Sequence, residues 1–206
     1  MAGELTAWIR FTHRLNVLLW ASPLPRPAKV RLEPYIYRNP PLHGRQVLEA
    51  VKAVEAAGVE IACAGGWGVD ALAGKQLRIH RDLDAIIPPE GLDKAMAALA
   101  EHGYEEWYRI TTADTLGEGG PAIIASVVLR NHALRVVDLI LIENPREVLN
   151  YVQGSIDGQP VVCLSPDDQV RSKMGLSLKR YRKDRQVVYR MLEQPAQLQE
   201  AEKKPD

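Results

Sequence analysis

Apolar side chains recur along this chain with two different periods, and the alternation of the two predicts its elements. A helical period runs from Gly44 to Gly58 and a second runs from Gly91 to Gly103, where each closing glycine is typical of a helix end. Short apolar runs predict strands at residues 59–63, 80–88, 107–110, 123–129 and 134–142. Because helices alternate with short strands, the pattern predicts an α+β protein with a mixed α/β sheet, helices packed mainly on one side of it, and further helices at the C-terminus.

A pair of glycines, Gly65 and Gly66, stands between the first predicted strand and a segment, Trp67 to Leu72, that reads as the first turns of a helix. Glycine has no Cβ, so it adopts positive φ and lets a phosphate approach the backbone N–H groups closely. A strand followed by a glycine turn and a helix N-terminus is an anion-binding arrangement. Many turns with two glycines bind nothing, so the interpretation depends on what lies opposite them.

Two carboxylates, Asp82 and Asp84, lie in the next predicted strand, which Pro88 and Pro89 end. Successive side chains of a strand point to opposite faces, so these two project from the same face, roughly 6.5 to 7 Å apart. Magnesium prefers oxygen ligands and completes its coordination with waters and substrate phosphates. Two carboxylates facing a glycine turn therefore suit a nucleoside triphosphate with magnesium.

A third carboxylate, Asp138, lies in the most continuous apolar run of the chain, in the same row as Val136 and Ile140. An isolated charge in that row is costly, so the side chain must be paired, protonated or bound to metal. One interpretation is an ion pair with Arg135 or Arg130. The other is a metal site shared with the two acids of the preceding strand.

The two motifs together resemble a known family. Residues 65–70 read Gly-Gly-Trp-Gly-Val-Asp, and residues 78–84 read Arg-Ile-His-Arg-Asp-Leu-Asp. The combination resembles the DNA polymerase beta-like nucleotidyltransferase superfamily, in the branch with aminoglycoside 2''-adenylyltransferases and lincosamide nucleotidyltransferases. That branch has Gly-Gly-Trp, two residues, Asp, and then His-x-Asp-x-Asp. The resemblance covers residues 45–190 and implies a nucleotidyltransferase that moves a nucleoside monophosphate, by this likeness AMP from ATP, to a hydroxyl of a small molecule.

The resemblance also implies the roles of single residues. The glycine turn would cradle the triphosphate, and the three acids would be catalytic and hold two magnesium ions. The last acid would be either a metal ligand only or also the acceptor of the hydroxyl proton. The triphosphate-binding residues would be Gly65, Gly66, Trp67 and Lys183, and the catalytic metal ligands would be Asp82, Asp84 and Asp138.

Three positions of the resemblance need comment. Trp67 stands where many superfamily members have a serine, which removes one hydroxyl contact to phosphate. Lys183 lies in a Lys-Asp-Arg element similar to one in a later helix of the family, but Val187 replaces an aspartate that is frequent there. For His80 we predict packing or hydrogen bonding rather than metal ligation, because nitrogen ligands suit zinc better than magnesium.

Composition narrows the class of protein. The 206 residues are 46% hydrophobic and 25% charged, enough for one sizeable core. Lysine and arginine together number 26, as do aspartate and glutamate, which argues against a nucleic-acid-binding protein with a broad basic surface. Cys63 and Cys163 lie in apolar segments and are predicted to be core residues rather than a disulfide. The longest apolar run near the N-terminus is too short to span a membrane, and we expect a cytoplasmic protein.

The chain divides into four segments by pattern. Residues 1–43 are predicted to form a helix followed by a proline-rich extended connector. Residues 44–150 have the regular pattern of helices and strands, and the resemblance implies that they form the nucleotidyltransferase core. Residues 151–194 predict a hairpin and helical segment, and residues 195–206 predict a disordered tail. Basic side chains crowd 171–190, either as a helix that closes over triphosphate or nucleic acid or as a solvated helical face.

Three functions fit these features. The first is a small-molecule nucleotidyltransferase that acts on an aminoglycoside, a lincosamide or another hydroxylated metabolite. The second is a toxin-like nucleotidyltransferase that modifies RNA or protein, and the third is a nucleotide-binding or partner-binding module without catalysis, against which the three acids argue. A polycationic acceptor would need acidic side chains in the walls of its pocket. Five acids either form such walls or belong to a solvated loop: Glu101, Glu105, Glu106, Asp114 and Glu118.

Overall fold

The computed structural model describes residues 15, 22–24, 28, 40–111, 121–173, 186–188 and 190. Several predictions fall outside these residues. They are the N-terminal helix, most of the proline-rich connector, most of the basic segment including Lys183, and the tail at 195–206. Of the acids predicted to line an acceptor pocket, Asp114 and Glu118 also lie outside them.

Helices and strands alternate from Gly44 to Glu101, as the pattern predicts, and mainly strands follow from Tyr104 to Leu164. The helices are α1 (Gly44–Ala56), α2 (Gly65–Ala73), α3 (Leu92–Glu101), α4 (Pro145–Val148) and α5 (Pro166–Lys173), with a 3-10 turn at Pro89–Gly91 before α3. The strands are β1 (Ala62–Cys63), β2 (Asp82–Ile87), β3 (Tyr104–Thr111), β4 (Ile123–Asn131), β5 (Val136–Ile142), β6 (Tyr151–Ile156) and β7 (Gln159–Leu164). None of the described helices is long and apolar enough to cross a membrane.

All seven strands form one sheet in the order β3-β4-β5-β2-β1-β7-β6. Two of the pairings are parallel, β2 with β5 and β1 with β7, and the others are antiparallel. The fold is therefore α+β with a mixed sheet, which confirms the predicted fold class. Strand β7 comes from the C-terminal part of the chain and lies beside β1, which leads directly into the glycine turn.

The main core fills the face of the sheet that α1 and α3 cover. Leu83, Ala85 and Ile87 of β2 point to this face and pack with apolar side chains of both helices. Fully burying one such large side chain stabilises the fold by about 1.5–3 kcal/mol. Cys63 and Cys163 belong to the same core as free thiols, as predicted.

The opposite face of the sheet, which we call the acidic face, carries Asp82 and Asp84 of β2 and Asp138 of β5. A smaller apolar cluster covers the far end of this face and includes Ile86 and Ile142. The near end, where the carboxylates lie, is not covered by α1 or α3, because these two helices pack on the other side. The alternation of faces along β2 thus separates the residues that stabilise the fold from those that carry charge.

Some element bounds differ from the prediction. Strand β1 contains only Ala62 and Cys63, although apolar residues alternate from Val59. Val59 and Ile61 are buried without being paired in the sheet, so their apolar character reflects burial rather than strand pairing. Strand β3 extends to Tyr104–Thr111 although its side chains are mostly exposed, because it is an edge strand paired only with β4.

Candidate active site

The three carboxylates meet through the pairing of β2 with β5. Asp84 and Asp138 are register partners in this parallel pair, and Asp82 pairs with Val136 two positions earlier. Partner residues of neighbouring strands lie on the same face of a sheet, about 4.8 Å apart along the hydrogen-bonding direction. The three carboxylates therefore share one small area of the acidic face: Asp138 lies beside Asp84 on the neighbouring strand, and Asp82 lies two positions before Asp84 on β2.

Asp138 is the acid whose ionisation the structure changes most. Burial raises the pKa of its carboxyl from 3.8 to about 6, the hydrogen bond from Ser126 opposes the rise, and the negative charge of Asp82 adds to it. The Ser126 Oγ–H donates to Asp138 Oδ1 over 2.5 Å. Asp138 forms no ion pair with an arginine among the described residues; the Arg130 guanidinium instead lies 4.5 Å from the centre of the Trp107 ring. The interpretation of Asp138 as an arginine partner is therefore wrong for this part of the chain.

The glycine turn lies directly against the carboxylates. Gly65 has φ +58°, in the left-handed region, and a Cβ added to it would overlap the carboxylate of Asp84. The backbone N–H of Ala64 donates to the Asp84 carbonyl oxygen over 2.9 Å, which fixes the start of the turn against β2. Only glycine fits this position, because it needs both the positive φ and the missing side chain.

Helix α2 begins at Gly65, so the first backbone N–H groups of the helix lie beside the acids. The positive end of the helix macrodipole adds to their attraction for an anion. The Trp67 side chain is buried in the core, only 2% exposed, so any contact of this residue with a phosphate is through its backbone N–H.

A buried hydrogen-bonded pair of side chains, Asp70 and His80, lies next to the turn. His80 Nε2 lies 2.6 Å from Asp70 Oδ2, and both side chains are almost fully buried. The His80 ring also packs on Trp67, with 4.9 Å between ring centroids. The predicted hydrogen-bonding role of His80 is confirmed, whereas its partner was not predicted.

The donor set suits magnesium once a polyphosphate is present. Within the described residues no three His, Cys, Asp or Glu side chains form a ready-made metal-binding group. Magnesium needs only one or two protein carboxylates when phosphates and waters complete its coordination, and the acids here offer only oxygen ligands. The arrangement therefore fits a metal that arrives with its nucleotide better than a permanently bound one.

Ser126 is the residue of this area that sequence reasoning missed. It lies on β4, on the acidic face, beside Ile140 of β5 and diagonal to Asp138. Nothing in the local sequence of β4 marks this serine, because its role depends on the register between β4 and β5. A predicted antiparallel pairing of these two strands would have been the only signal.

Two sequence comparisons find relatives of this chain. Residues 46–188 match the sequence model of the aminoglycoside-2''-adenylyltransferase family. A lincosamide resistance protein of Staphylococcus haemolyticus is 46% identical over 41 residues, which are 20% of this chain and 26% of that protein. The match thus spans about a quarter of that relative's length.

Solved structures show the same fold. The lincosamide antibiotic adenylyltransferase LnuA, in its lincomycin-bound structure, is similar with a TM-score of 0.58 at 18% identity, over 73% of this chain and 98% of that one. ANT(2'')-Ia in complex with adenylyl-2''-tobramycin is similar with a TM-score of 0.56 at 14% identity, over 72% of this chain and 88% of that one. The predicted resemblance is confirmed by the family match over residues 46–188. Because the family match covers well over half of the 206 residues, the chain belongs to the aminoglycoside-2''-adenylyltransferase family.

Proposed function

We propose that this protein is a magnesium-dependent adenylyltransferase that transfers AMP from ATP to a hydroxyl of a small molecule, with an aminoglycoside or lincosamide antibiotic as the acceptor. The observation that carries the proposal is the juxtaposition of Asp84 and Asp138, in register on β2 and β5, with the left-handed Gly65 turn. Family membership supports the reaction class, and the lincosamide resistance protein supports the acceptor class.

In this proposal the backbone N–H groups at the start of α2 bind the triphosphate. The acceptor oxygen attacks the α-phosphorus, the bond from that phosphorus to the β-phosphate oxygen breaks, and pyrophosphate leaves. The acceptor proton would pass to Asp138, whose carboxylate lies beside Asp84 on the acidic face and is oriented by Ser126. Ser126 holds Oδ1 of this carboxylate, which leaves Oδ2 for the acceptor hydroxyl.

Asp82, Asp84 and Asp138 would hold the metal. Magnesium, when bound, would lower the pKa of the acceptor hydroxyl and offset the charge that develops on pyrophosphate. The protein's own contribution is alignment, because Gly65 and Asp84 are held against each other and keep triphosphate and carboxylates at a fixed separation.

The surface beside Asp138 is where the acceptor would lie. Across the sheet from Asp138 the same row continues with Val128 of β4 and Tyr108 of β3. Among the acids that could attract a polycation, Glu106 is bound to Arg109 through an ion pair of 2.8 Å. Val128 is buried and Tyr108 is partly exposed, so Tyr108 is the member of this row that offers surface to an acceptor. An acceptor panel must include lincosamides beside aminoglycosides.

The experiment is a product assay. Purified protein, each nucleoside triphosphate and magnesium are incubated with aminoglycosides, lincosamides and other hydroxylated metabolites, and mass spectrometry detects an added nucleoside monophosphate. The expected product is an adenylylated antibiotic together with pyrophosphate. Products on RNA or protein would instead support the toxin-like alternative, and no product with any acceptor would support a non-catalytic module.

Three variants link the reaction to the site. Asp82→Asn and Asp84→Asn should each abolish magnesium-dependent pyrophosphate release, because an amide oxygen replaces a charged metal ligand. Asp93→Asn on the exposed side of α3 is the matched control and should keep wild-type activity. Undiminished release in both site variants would refute the assignment.

A further inference from the structure

We propose that Asp70 and His80 act together as a positioning pair that sets the distance between the triphosphate-binding turn and the carboxylates of β2. This inference rests on the proposed function, because it assigns a role within the same site. Neither residue touches the reacting atoms, so the pair acts through the turn. The contact that carries it is the 2.6 Å hydrogen bond between Asp70 Oδ2 and His80 Nε2.

The pair joins the two elements that form the site. Asp70 lies on α2, four residues after Gly66, so the two positions share one face of the helix. His80 lies two residues before Asp82, at the approach to β2. The hydrogen bond thus connects α2, which begins at the glycine turn, directly with the segment that leads into β2 and its two acids.

The imidazole ring fits closely between the helix and its neighbours. A Cβ added at Gly66 would overlap His80 Nδ1, so the edge of the ring lies against the backbone of the turn. The other ring nitrogen faces Asp70, and the Trp67 ring packs on one side with centroids 4.9 Å apart. A shift of the ring would therefore move the backbone that binds the phosphates.

The backbone of His80 is fixed as well. Its carbonyl oxygen accepts from the Leu42 N–H over 2.8 Å, in a bridge just before α1. By contrast, the loop between α2 and His80 is largely exposed, and Ile79 has 67% of its surface accessible. Because the connecting loop has few buried contacts, the side-chain pair is a second link between α2 and the approach to β2, beside the hydrogen bond from the Ala64 N–H to the Asp84 carbonyl oxygen.

A purely structural pair would also be buried and hydrogen-bonded, so the readout must separate stability from positioning. A displacement of about 1 Å in a reacting group can cost on the order of 100-fold in rate. A pair that only stabilises the fold would lower the melting temperature and leave nucleotide affinity unchanged in the molecules that remain folded. A positioning pair would weaken binding of the triphosphate specifically, without changing the affinity for the acceptor.

The test compares Asp70→Ala, His80→Gln and Asp70→Asn with the wild-type protein. ATP with magnesium is titrated by calorimetry at a temperature well below each melting point, and KM values are measured for ATP and for the acceptor. Asp70→Ala should weaken ATP binding at least about tenfold and raise the KM for ATP in proportion, with the acceptor KM within about twofold. Asp70→Asn keeps an oxygen that accepts from the imidazole N–H and should restore most of the affinity.

Asn131→Ala is the matched control for loss of stability. The Asn131 side chain is buried, and its Oδ1 accepts from the Ala133 and Arg135 N–H groups in the turn after β4. It points away from the acidic face, toward Tyr104, its register partner. This variant should lower the melting temperature and leave the dissociation constant of ATP unchanged.

The outcomes separate the two proposals. Wild-type ATP affinity in folded Asp70→Ala, or in folded His80→Gln should the alanine variant not fold, would overturn the positioning role and leave the adenylyltransferase proposal intact. A wild-type protein that binds no ATP with magnesium would overturn the proposed function, and the positioning role with it. Equal losses of affinity in Asp70→Ala and in a double Asp70→Ala/His80→Ala variant would support action as one unit.

Discussion

At the scale of single residues, Asp138 shows a conflict between what the fold needs and what the chemistry needs. Its position in an apolar row of β5 makes the charged form costly, and burial accordingly raises the pKa of its carboxyl to about 6. The same position places the carboxylate beside Asp84 on the acidic face, where the proposed substrate would bind. We interpret the cost as the consequence of placing a proton acceptor on a strand that is otherwise part of the sheet's interior.

This conflict predicts a variant that gains stability while it loses activity. The pKa of Asp138 is higher in the folded protein than its ordinary value of 3.8. Folding therefore favours the protonated form, and stability is lost as the pH rises from about 4 through 6. Asp138→Asn removes the buried charge, so its free energy of unfolding should exceed that of the wild type at pH 8 by about 1–3 kcal/mol.

The measurement is urea unfolding of both proteins with EDTA present, so that no metal contributes. Near pH 4 the difference between them should shrink, because the wild-type carboxyl is then protonated in the folded state. The idea fails if the asparagine variant is less stable than the wild type at pH 8, or if the difference does not change with pH.

At the scale of elements, the apolar alternation and the glycine spacing predicted strand faces and helix ends, but they did not predict which strands pair or in what register. The period of two along β2 placed Asp82 and Asp84 on one face, and the glycines that end α1 and α3 were correctly identified as stops. The register of β2 with β5, which puts Asp138 beside Asp84, depends on contacts between residues more than 50 positions apart. Local sequence carries no signal for such a register, and for the same reason Ser126 went unrecognised.

Strand β4 supplies the hydroxyl that orients the third acid, so a change on β4 should act on β5. Ser126→Ala removes the 2.5 Å hydrogen bond to Asp138 Oδ1 and frees the carboxylate to rotate. We expect kcat to fall about tenfold, less than the roughly 100-fold or greater loss of removing a proton acceptor, because the carboxylate remains, with little change in the KM for ATP. Steady-state kinetics with an identified acceptor measure both constants.

Ser126→Thr is the matched control for this change, because it keeps the hydroxyl and adds one methyl group. It should retain most of the wild-type kcat. Wild-type kcat in Ser126→Ala would show that the hydrogen bond from β4 is not required to orient Asp138.

At the scale of the whole molecule, the sheet separates stability from chemistry by its two faces. One face packs on α1 and α3 to form the main core, and the other presents the acids. The strand that precedes the glycine turn is only two residues long, and it is held between β2 on one side and β7 on the other. Since β7 follows the acids by more than 20 residues in sequence, its place beside β1 was not readable from local patterns.

This architecture predicts that nucleotide and metal stabilise the protein only together. Without magnesium, the triphosphate approaches three carboxylates of the same sign as its own charge, so the acidic face opposes binding. With magnesium, the same carboxylates become ligands, and binding to the folded state alone raises stability by RT ln(1 + [L]/Kd), about 2.7 kcal/mol at a hundredfold excess over Kd. For a domain of this size the melting temperature should then rise by about 5–10 °C.

Thermal unfolding is compared for the protein alone, with ATP and EDTA, with magnesium alone, and with both ligands. Only ATP together with magnesium should raise the melting temperature of the wild type and of Asp93→Asn, while Asp84→Asn should show no such rise. A full rise with ATP and EDTA would mean that the nucleotide binds away from the acids, and it would contradict the site as a whole.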